Sequence, residues 1–168
     1  NHKGICVCEN VLDSEGNILY PHMIHTMKNG VKVGLVGIVT DYINVWEKKE
    51  NLVGIQVVDP FEAAKKALED LQGKVDLTIC IYHGGFESDL ETGKRLSETT
   101  ENIGYKICTE LGFDVLLTGH QHMPVAGRMV NGTYTLQPLA NGREYAYVEI
   151  DLEKEAFSSG NATYPATI

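Results

Sequence analysis

The sequence of 168 residues predicts an α/β domain built around a parallel sheet. Three stretches rich in apolar and β-branched residues, at 31–39, 75–82 and 114–118, have the length and composition of buried strands. Two helices are predicted between them, one starting at Asp59 and one starting near Ile103. Strand–helix–strand connections join parallel neighbours through right-handed crossovers, so the three strands should point in one direction.

The segment before the first of these strands is predicted to be extended. It comprises a short strand, a turn and extended surface chain, at residues 4–8, 13–17 and 18–27. Asn29 and Gly30 then give a strong hairpin signal. Gly34 and Gly37, inside the strand that follows, indicate that another segment approaches closely, since neither carries a side chain.

The first helix has clear start and stop signals. Asp59 is a good N-cap residue, Pro60 suits the first helical position, and Gly73 ends the helix.

Trp46 lies upstream in a polar loop at residues 40–51, and we interpret it as a packing anchor, with substrate stacking as the alternative. A long, charged and irregular stretch that ends at residue 100 precedes the second helix and is typical of a functional loop.

Further strands are predicted after the third parallel strand. Residues 125–130 and 134–137 form a hairpin whose turn is Asn131-Gly132, and residues 145–152 form a last strand with an alternating pattern. From about residue 153 the chain is polar, and we expect this tail to be poorly structured.

The formal net charge of −9 disfavours a module that binds DNA or RNA, because a polyanion would be repelled. A small phosphate ester is compatible with this charge, because one local cation can outweigh the global field.

The sequence has no run of about 18 apolar residues, so no membrane-spanning helix is predicted. The N-terminus has no signal-peptide pattern. The four cysteines lack C-x-x-C spacing, and we interpret them as buried free thiols.

Three histidines follow the ends of neighbouring parallel strands. His83 comes directly after the second strand, and His120 and His122 follow the third as a His-x-His motif. The carboxyl ends of parallel strands meet at one edge of the sheet, where ligands of open α/β sheets bind. Neutral imidazoles are good ligands for zinc, manganese or iron. The sequence therefore predicts that these three side chains converge on a metal site.

A set of motifs in fixed order carries the clearest family signal in the chain. The main motifs are Tyr82-His83-Gly84-Gly85-Phe86-Glu87, Glu101-Asn102, Gly104-Tyr105 and Gly119-His120-Gln121-His122. Supporting matches are Cys8-Glu9-Asn10-Val11, Val33-Gly34-Leu35-Val36-Gly37, Trp46-Glu47 and Asp59-Pro60-Phe61-Glu62-Ala63-Ala64. In this order the motifs resemble the calcineurin-like metallophosphoesterases, and within them the bacterial group of 5′-nucleotidases and 2′,3′-cyclic-nucleotide 2′-phosphodiesterases.

The resemblance implies a four-layer sandwich in which two mixed sheets are flanked by helices and hold two divalent metal ions. It implies that His83 and His120 bind one metal and His122 the other, with zinc or manganese preferred and magnesium or iron as alternatives. The implied reaction is hydrolysis of a nucleotide or another small phosphate ester by a metal-activated water that attacks phosphorus. A secreted, periplasmic or cell-surface bacterial enzyme is also implied.

The sequence departs from the family pattern upstream. The motifs Asp-x-His, Gly-Asp-x-x-Asp and Gly-Asn-His-Glu are absent, and so is a downstream nucleotide-binding domain. Asn1-His2 is only superficially similar to the third motif, because Lys3 stands where the family has Glu. We therefore expect residues 1–168 to be the second half of a catalytic domain, with three metal ligands, no identified catalytic residue and little activity in isolation.

Two other functions are compatible with the same residues. One is a non-catalytic metal-binding or interaction module, and the other is a self-contained mononuclear zinc hydrolase with three imidazole ligands. A partial domain leaves sheet edges and apolar faces uncovered, so we also expect a dimer or a swapped assembly.

Other polar side chains receive structural interpretations. We interpret Glu87 and Asp89 as solvated loop charges, with hydrogen bonds that support the metal ligands as the alternative. Asn102 is interpreted as the cap of the second helix, with a contact to substrate as the alternative. His22 and His25 are interpreted as ordinary exposed residues.

Overall fold

A six-stranded mixed sheet lies at the centre of the fold in the computed structural model, which describes residues 4–163. The helices are α1 (Ile43–Trp46), α2 (Pro60–Leu71) and α3 (Gly104–Glu110), with a short 3-10 turn at Lys49–Leu52. The strands are β1 (Cys8–Asp13), β2 (Ile18–Tyr20), β3 (Met23–Thr26), β4 (Lys32–Val39), β5 (Ile55–Val57), β6 (Leu77–His83), β7 (Val115–Thr118), β8 (Val125–Val130), β9 (Thr133–Gln137), β10 (Glu144–Asp151) and β11 (Ala156–Thr163).

The strand order of the central sheet is β3-β4-β6-β7-β9-β8. Strands β4, β6 and β7 are parallel neighbours, with Val39 opposite His83 and Tyr82 opposite Thr118, which confirms the direction predicted for the three buried strands. Strand β9 is parallel to β7, and the two outer strands, β3 and β8, are antiparallel to their neighbours. Strands β2, β1 and β5 form a separate antiparallel sheet.

Helices α2 and α3 share one apolar core with the central sheet. Val36, Leu71 and Leu116 are fully buried in this core, which also includes Ile107 of α3. A Cβ atom at Gly34 would lie 2.8 Å from Leu71 Cδ1, so the glycine lets α2 pack closely on β4. Burial of about four large aliphatic side chains of this kind supplies roughly 6–12 kcal/mol of hydrophobic stabilisation before conformational entropy is subtracted.

The start of α2 follows the predicted signals. Pro60 is the first helical residue, and Asp59 Oδ1 accepts hydrogen bonds from the backbone N–H groups of Phe61 and Glu62 at 2.8 and 3.1 Å. Such a cap satisfies donors that the helix itself cannot pair. The second predicted close approach is also confirmed, because a Cβ atom at Gly37 would collide with the backbone of Val7.

Two predicted elements begin and end elsewhere. The first strand was expected at residues 4–8, but β1 starts at Cys8 and runs to Asp13, because its backbone pairs there with β2 and β5. The chain from about residue 153 was expected to be poorly structured, and this is wrong for Ala156–Thr163. These residues pair with β10 along its whole length, and Phe157 stacks on Tyr134 with 5.4 Å between the ring centroids. The small polar side chains of β11 do not give the sequence pattern of a strand, and pairing of its backbone with β10 stabilises it.

The cysteines are all free, as predicted, but their burial differs. Cys8, Cys80 and Cys108 are buried, whereas Cys6 is exposed. Burial raises the pKa of the Cys108 thiol to about 12, because the thiolate would be desolvated. Within residues 4–163 no helix is long and apolar enough to cross a membrane.

Candidate metal centre

The histidines His83 and His120 lie next to each other at the carboxyl edge of the parallel strands. His83 is the last residue of β6, and His120 lies two residues beyond the end of β7. Their ring centroids are 5.4 Å apart and the rings meet edge to face at 61°. Gly119 N–H donates to the Gly84 carbonyl at 3.1 Å and ties the two loops together. The structure therefore brings this pair together as the strand order predicted, and their role as metal ligands stays a prediction.

His122 lies near the pair and, like His83, is exposed. Both His120 and His122 have positive φ angles, 70° and 59°, which turn the chain sharply within three residues. Partial desolvation lowers the pKa of His83, and the nearby imidazoles of His120 and His122 lower it further, because adjacent positive charges repel. A lowered pKa favours the neutral imidazole, which is the form that binds a metal ion.

The donor set fits a divalent metal only in part. In the described part of the chain, no group of three or more His, Cys, Asp or Glu side chains is arranged to hold a metal ion. The facing imidazoles of His83 and His120 match the borderline metals in chemistry, and they supply two of the four or more donors that such ions require. His122 would have to move toward the pair, or serve a second ion, to take part.

Glu101 is a carboxylate in direct contact with this site. Its Oε1 atom lies 2.8 Å from His120 Nε2, and the two side chains are 30% and 20% exposed. Glu101 belongs to the motif Glu101-Asn102, but the sequence predicted no role for its side chain. Its place at the end of a long charged loop gave no signal of a contact with His120, which lies 19 positions further along the chain.

Trp46 forms one wall of the site. Its indole stacks on the ring of His120, with 5.1 Å between centroids and 27° between planes, and Tyr42 meets its edge at 5.9 Å. The indole packs on Tyr42 and His120 and is still 50% exposed, so the packing role is confirmed in part, while substrate stacking by Trp46 stays a prediction. The loop expected at residues 40–51 instead forms α1 and a 3-10 turn, and α1 carries Trp46 to the site.

Gln121, the middle residue of the His-x-His motif, connects the two histidine loops. Its Oε1 atom accepts from Phe86 N–H at 2.8 Å, and its Nε2 donates to the Phe86 carbonyl at 2.9 Å. A side chain at Gly85 would collide with Gln121, so glycine is required there for this contact. Sequence reasoning missed Gln121, because the residue between two candidate ligands carries no pattern of its own.

Two polar residues near His83 have roles other than those expected. Glu87 is buried and accepts hydrogen bonds from the backbone N–H groups of Tyr105 and Lys106 at 3.0 and 2.8 Å, so it is not a solvated charge. Asn102 does not cap α3, whose N-cap residue is Ile103. The Asn102 side chain accepts from Gly85 N–H at 2.7 Å and so fixes the loop after His83.

Two further histidines of the described residues have other surroundings. His22 is half-buried, and its backbone N–H and ring Nδ1 both contact the buried carboxylate of Glu9, so it is not an ordinary exposed residue. His25 is exposed, as expected, and His2 lies outside the described residues. Asp89 is a loop carboxylate that accepts from Thr92 N–H at 2.8 Å.

Comparison with known proteins gives curated relatives that include nucleotide phosphoesterases. No family model matches the chain. The trifunctional nucleotide phosphoesterase protein YfkN of Bacillus subtilis is 29% identical over 140 residues, which are 74% of this chain and 9% of that protein. The 2′,3′-cyclic-nucleotide 2′-phosphodiesterase/3′-nucleotidase of Salmonella typhimurium is 28% identical over 120 residues, which are 70% of this chain and 16% of that protein.

The fold has solved counterparts as well. A crystal structure described as a putative 5′-nucleotidase from Staphylococcus aureus superposes with a TM-score of 0.80 at 29% identity, covering 92% of this chain and 31% of that one. The chain thus spans less than a third of the length of each of these three proteins. The comparisons confirm the α/β fold and the resemblance to the calcineurin-like metallophosphoesterases, 5′-nucleotidases and cyclic-nucleotide phosphodiesterases that the motifs predicted.

Proposed function

We propose that residues 1–168 form the second half of a phosphoesterase catalytic domain that hydrolyses nucleotide phosphate esters, and that His83, His120 and His122 bind its divalent metal ions. The observation that carries this proposal is the facing pair of imidazoles, 5.4 Å apart between centroids, at the carboxyl edge of the parallel strands. Support also comes from relatives that are named as nucleotidases and phosphoesterases.

The residues of the chain suit this chemistry. His83, His120 and His122 would hold the divalent metal ions, which would stabilise the charge of the phosphate and supply a nucleophilic water near neutral pH. His83 is kept neutral by its lowered pKa and is ready to act as a donor. Asn102 and Gln121 form hydrogen bonds with the loop that follows His83, and Gln121 links this loop to the one that carries His120. These hydrogen bonds hold the imidazoles in place without a bound metal ion. Zinc or manganese is proposed first, with magnesium or iron as alternatives.

The proposed substrate is a nucleotide or another small phosphate ester. The net charge of −9 repels long polyanions, and a small ester can approach a locally cationic metal site instead. A secreted, periplasmic or cell-surface location, where nucleotides from the surroundings would be hydrolysed, is part of the same proposal.

Zinc affinity tests the ligand assignment. Equilibrium dialysis of the 168-residue chain should show zinc binding that is weakened at least about tenfold in His83→Ala and in His120→Ala. His25→Ala is the matched control, because it removes an exposed imidazole opposite Val33 near the start of β4, whereas His83 lies beside the end of that strand. If zinc affinity is the same in all four proteins, the ligand assignment is wrong.

Catalysis by the isolated chain is a separate test. With added manganese we expect little turnover of AMP or 2′,3′-cyclic AMP, because the donors in residues 4–163 do not complete a metal centre. Turnover comparable to that of a full-length relative would contradict the partial-domain proposal. Zinc-dependent ester hydrolysis by this chain alone would favour the self-contained mononuclear hydrolase.

A non-catalytic metal-binding or interaction module is the second candidate function. The same shortage of donors in the described residues favours it, since two facing imidazoles can bind an ion without activating a water. Zinc binding without turnover, in a native protein that contains residues before and after this chain, would select this candidate over the hydrolase.

A further inference from the structure

We infer that Glu101 is a positioning residue that holds His120 as the Nε2–H tautomer and so leaves Nδ1 as the nitrogen that binds the metal. The inference rests on the proposed function, which assigns His120 as a ligand. It names the ligand atom and the residue that selects it.

The contact with Glu101, together with the chemistry of the two groups, points to the nitrogen that carries the proton. Glu101 Oε1 lies 2.8 Å from His120 Nε2, which is a hydrogen-bond distance. An ionised carboxylate only accepts hydrogen bonds, so Nε2 must be the donor. A neutral imidazole has a single N–H, so a proton on Nε2 leaves the lone pair on Nδ1 free. Metal-binding histidines commonly donate their other ring N–H to a carboxylate in this way.

The backbone of Glu101 is anchored by two hydrogen bonds. Its carbonyl oxygen accepts hydrogen bonds from Thr40 Oγ1 at 2.7 Å and from Tyr82 Oη at 3.2 Å. Both partners are buried at the ends of the parallel strands β4 and β6. The carboxylate therefore projects from an anchored backbone rather than from a free loop. This is the geometry that a positioning residue needs.

The imidazole of His120 is restrained on its other sides too. Trp46 stacks on the ring with 5.1 Å between centroids, and the His83 ring contacts it in a T-shaped arrangement with 5.4 Å between centroids. With the stacked indole fixing the ring plane and Glu101 fixing the proton, His120 has a defined orientation before any ion arrives. Such preorganisation raises affinity because less freedom is lost on binding.

The tautomer can be read directly in the metal-free chain. Long-range ¹H–¹⁵N NMR at about pH 8.5, where histidine is ordinarily neutral, should show Nε2 protonated and Nδ1 bare in the wild type. In Glu101→Ala the signals of His120 should shift toward a mixture of both tautomers. Glu98→Ala is the control, because it removes a fully exposed carboxylate from the same loop and should leave the His120 signals unchanged. A wild-type spectrum with the proton on Nδ1 overturns the inference, and so does a Glu101→Ala spectrum identical to it.

Zinc titration supplies the second readout. Zinc should shift the Nδ1 signal of His120 while its Nε2–H remains, and Glu101→Ala should weaken zinc binding about 10- to 100-fold. Loss of the Nε2–H on zinc binding would make Glu101 or Nε2 a ligand and would overturn the inference. If the wild-type chain binds no zinc, the proposed metal site fails, while the metal-free spectra still decide whether Glu101 sets the tautomer.

Discussion

The side-chain amide of Gln121 pairs with the backbone of Phe86 as one strand pairs with another. Phe86 N–H donates to Gln121 Oε1 at 2.8 Å, and Gln121 Nε2 donates to the Phe86 carbonyl at 2.9 Å. Phe86 belongs to the loop after His83, and Gln121 belongs to the loop that carries His120. Together with the bond from Gly119 N–H to the Gly84 carbonyl, this side chain ties together the two loops next to the imidazoles.

Replacing Gln121 with Ala should lower the free energy of unfolding by about 1–3 kcal/mol, because two backbone groups of Phe86 lose their partners. Gln72→Ala, at an exposed position beyond α2, should change it by less than about 0.5 kcal/mol. Urea denaturation measures both values. Amide exchange at Phe86 should also become faster in Gln121→Ala, and an unchanged exchange rate would contradict the proposed link.

Glu87→Ala should destabilise α3. The buried carboxylate accepts from two N–H groups in the first turn of this seven-residue helix, and losing such a cap costs about 0.5–2 kcal/mol. Hydrogen exchange should show the amides of Tyr105 and Lys106 losing protection first. Glu98→Ala, which removes an exposed charge nearby, is expected to leave these amides protected as in the wild type.

Trp46 should act as an intrinsic reporter of His120. It is the only tryptophan in the sequence, and its ring stacks on the imidazole, so a change at His120 alters the surroundings of the fluorophore. Zinc should change the intensity of tryptophan emission, and EDTA should reverse the change. The same titration of His120→Ala should give a flat response. An equal response in both proteins would mean that zinc binds elsewhere.

Asp41 should make stability depend on pH in an unusual direction. Burial raises the pKa of its carboxyl, and the nearby Asp59 carboxylate raises it further, while Asp41 Oδ1 is buried without a hydrogen-bond partner in the described structure. The folded protein therefore binds this proton more tightly than the unfolded chain does. The contribution of Asp41 is favourable at low pH and is lost as the pH rises through the unfolded value of about 3.9 toward the raised folded value.

Asp41→Asn should consequently be more stable than the wild type near about pH 7, and the advantage should shrink below about pH 4. Unfolding free energies measured across this range give the comparison. Asp70→Asn, on the exposed face of α2, is the matched control for loss of one carboxylate. A constant difference between Asp41→Asn and wild type at every pH would show that the carboxyl of Asp41 does not titrate as argued.

The parallel strands and the meeting of His83 with His120 could be predicted because they depend on regular patterns. Apolar runs mark β4, β6 and β7, and the rules of strand connection then place their ends together. Glu101, Gln121 and Trp46 could not be assigned in this way. Each reaches the site through a contact between loops, and the conformation of a loop depends on hydrogen bonds that leave no periodic trace in the sequence.

His120 and His122 both lie in the left-handed region of backbone space, with φ angles of 70° and 59°. A residue with a side chain costs about 1–2 kcal/mol there, a cost that glycine does not incur. The substitutions that would most relieve the backbone at these positions are the ones that would remove the imidazoles. Engineering for thermostability alone would therefore tend to remove these imidazoles, and a search for more heat-resistant variants should hold both positions fixed.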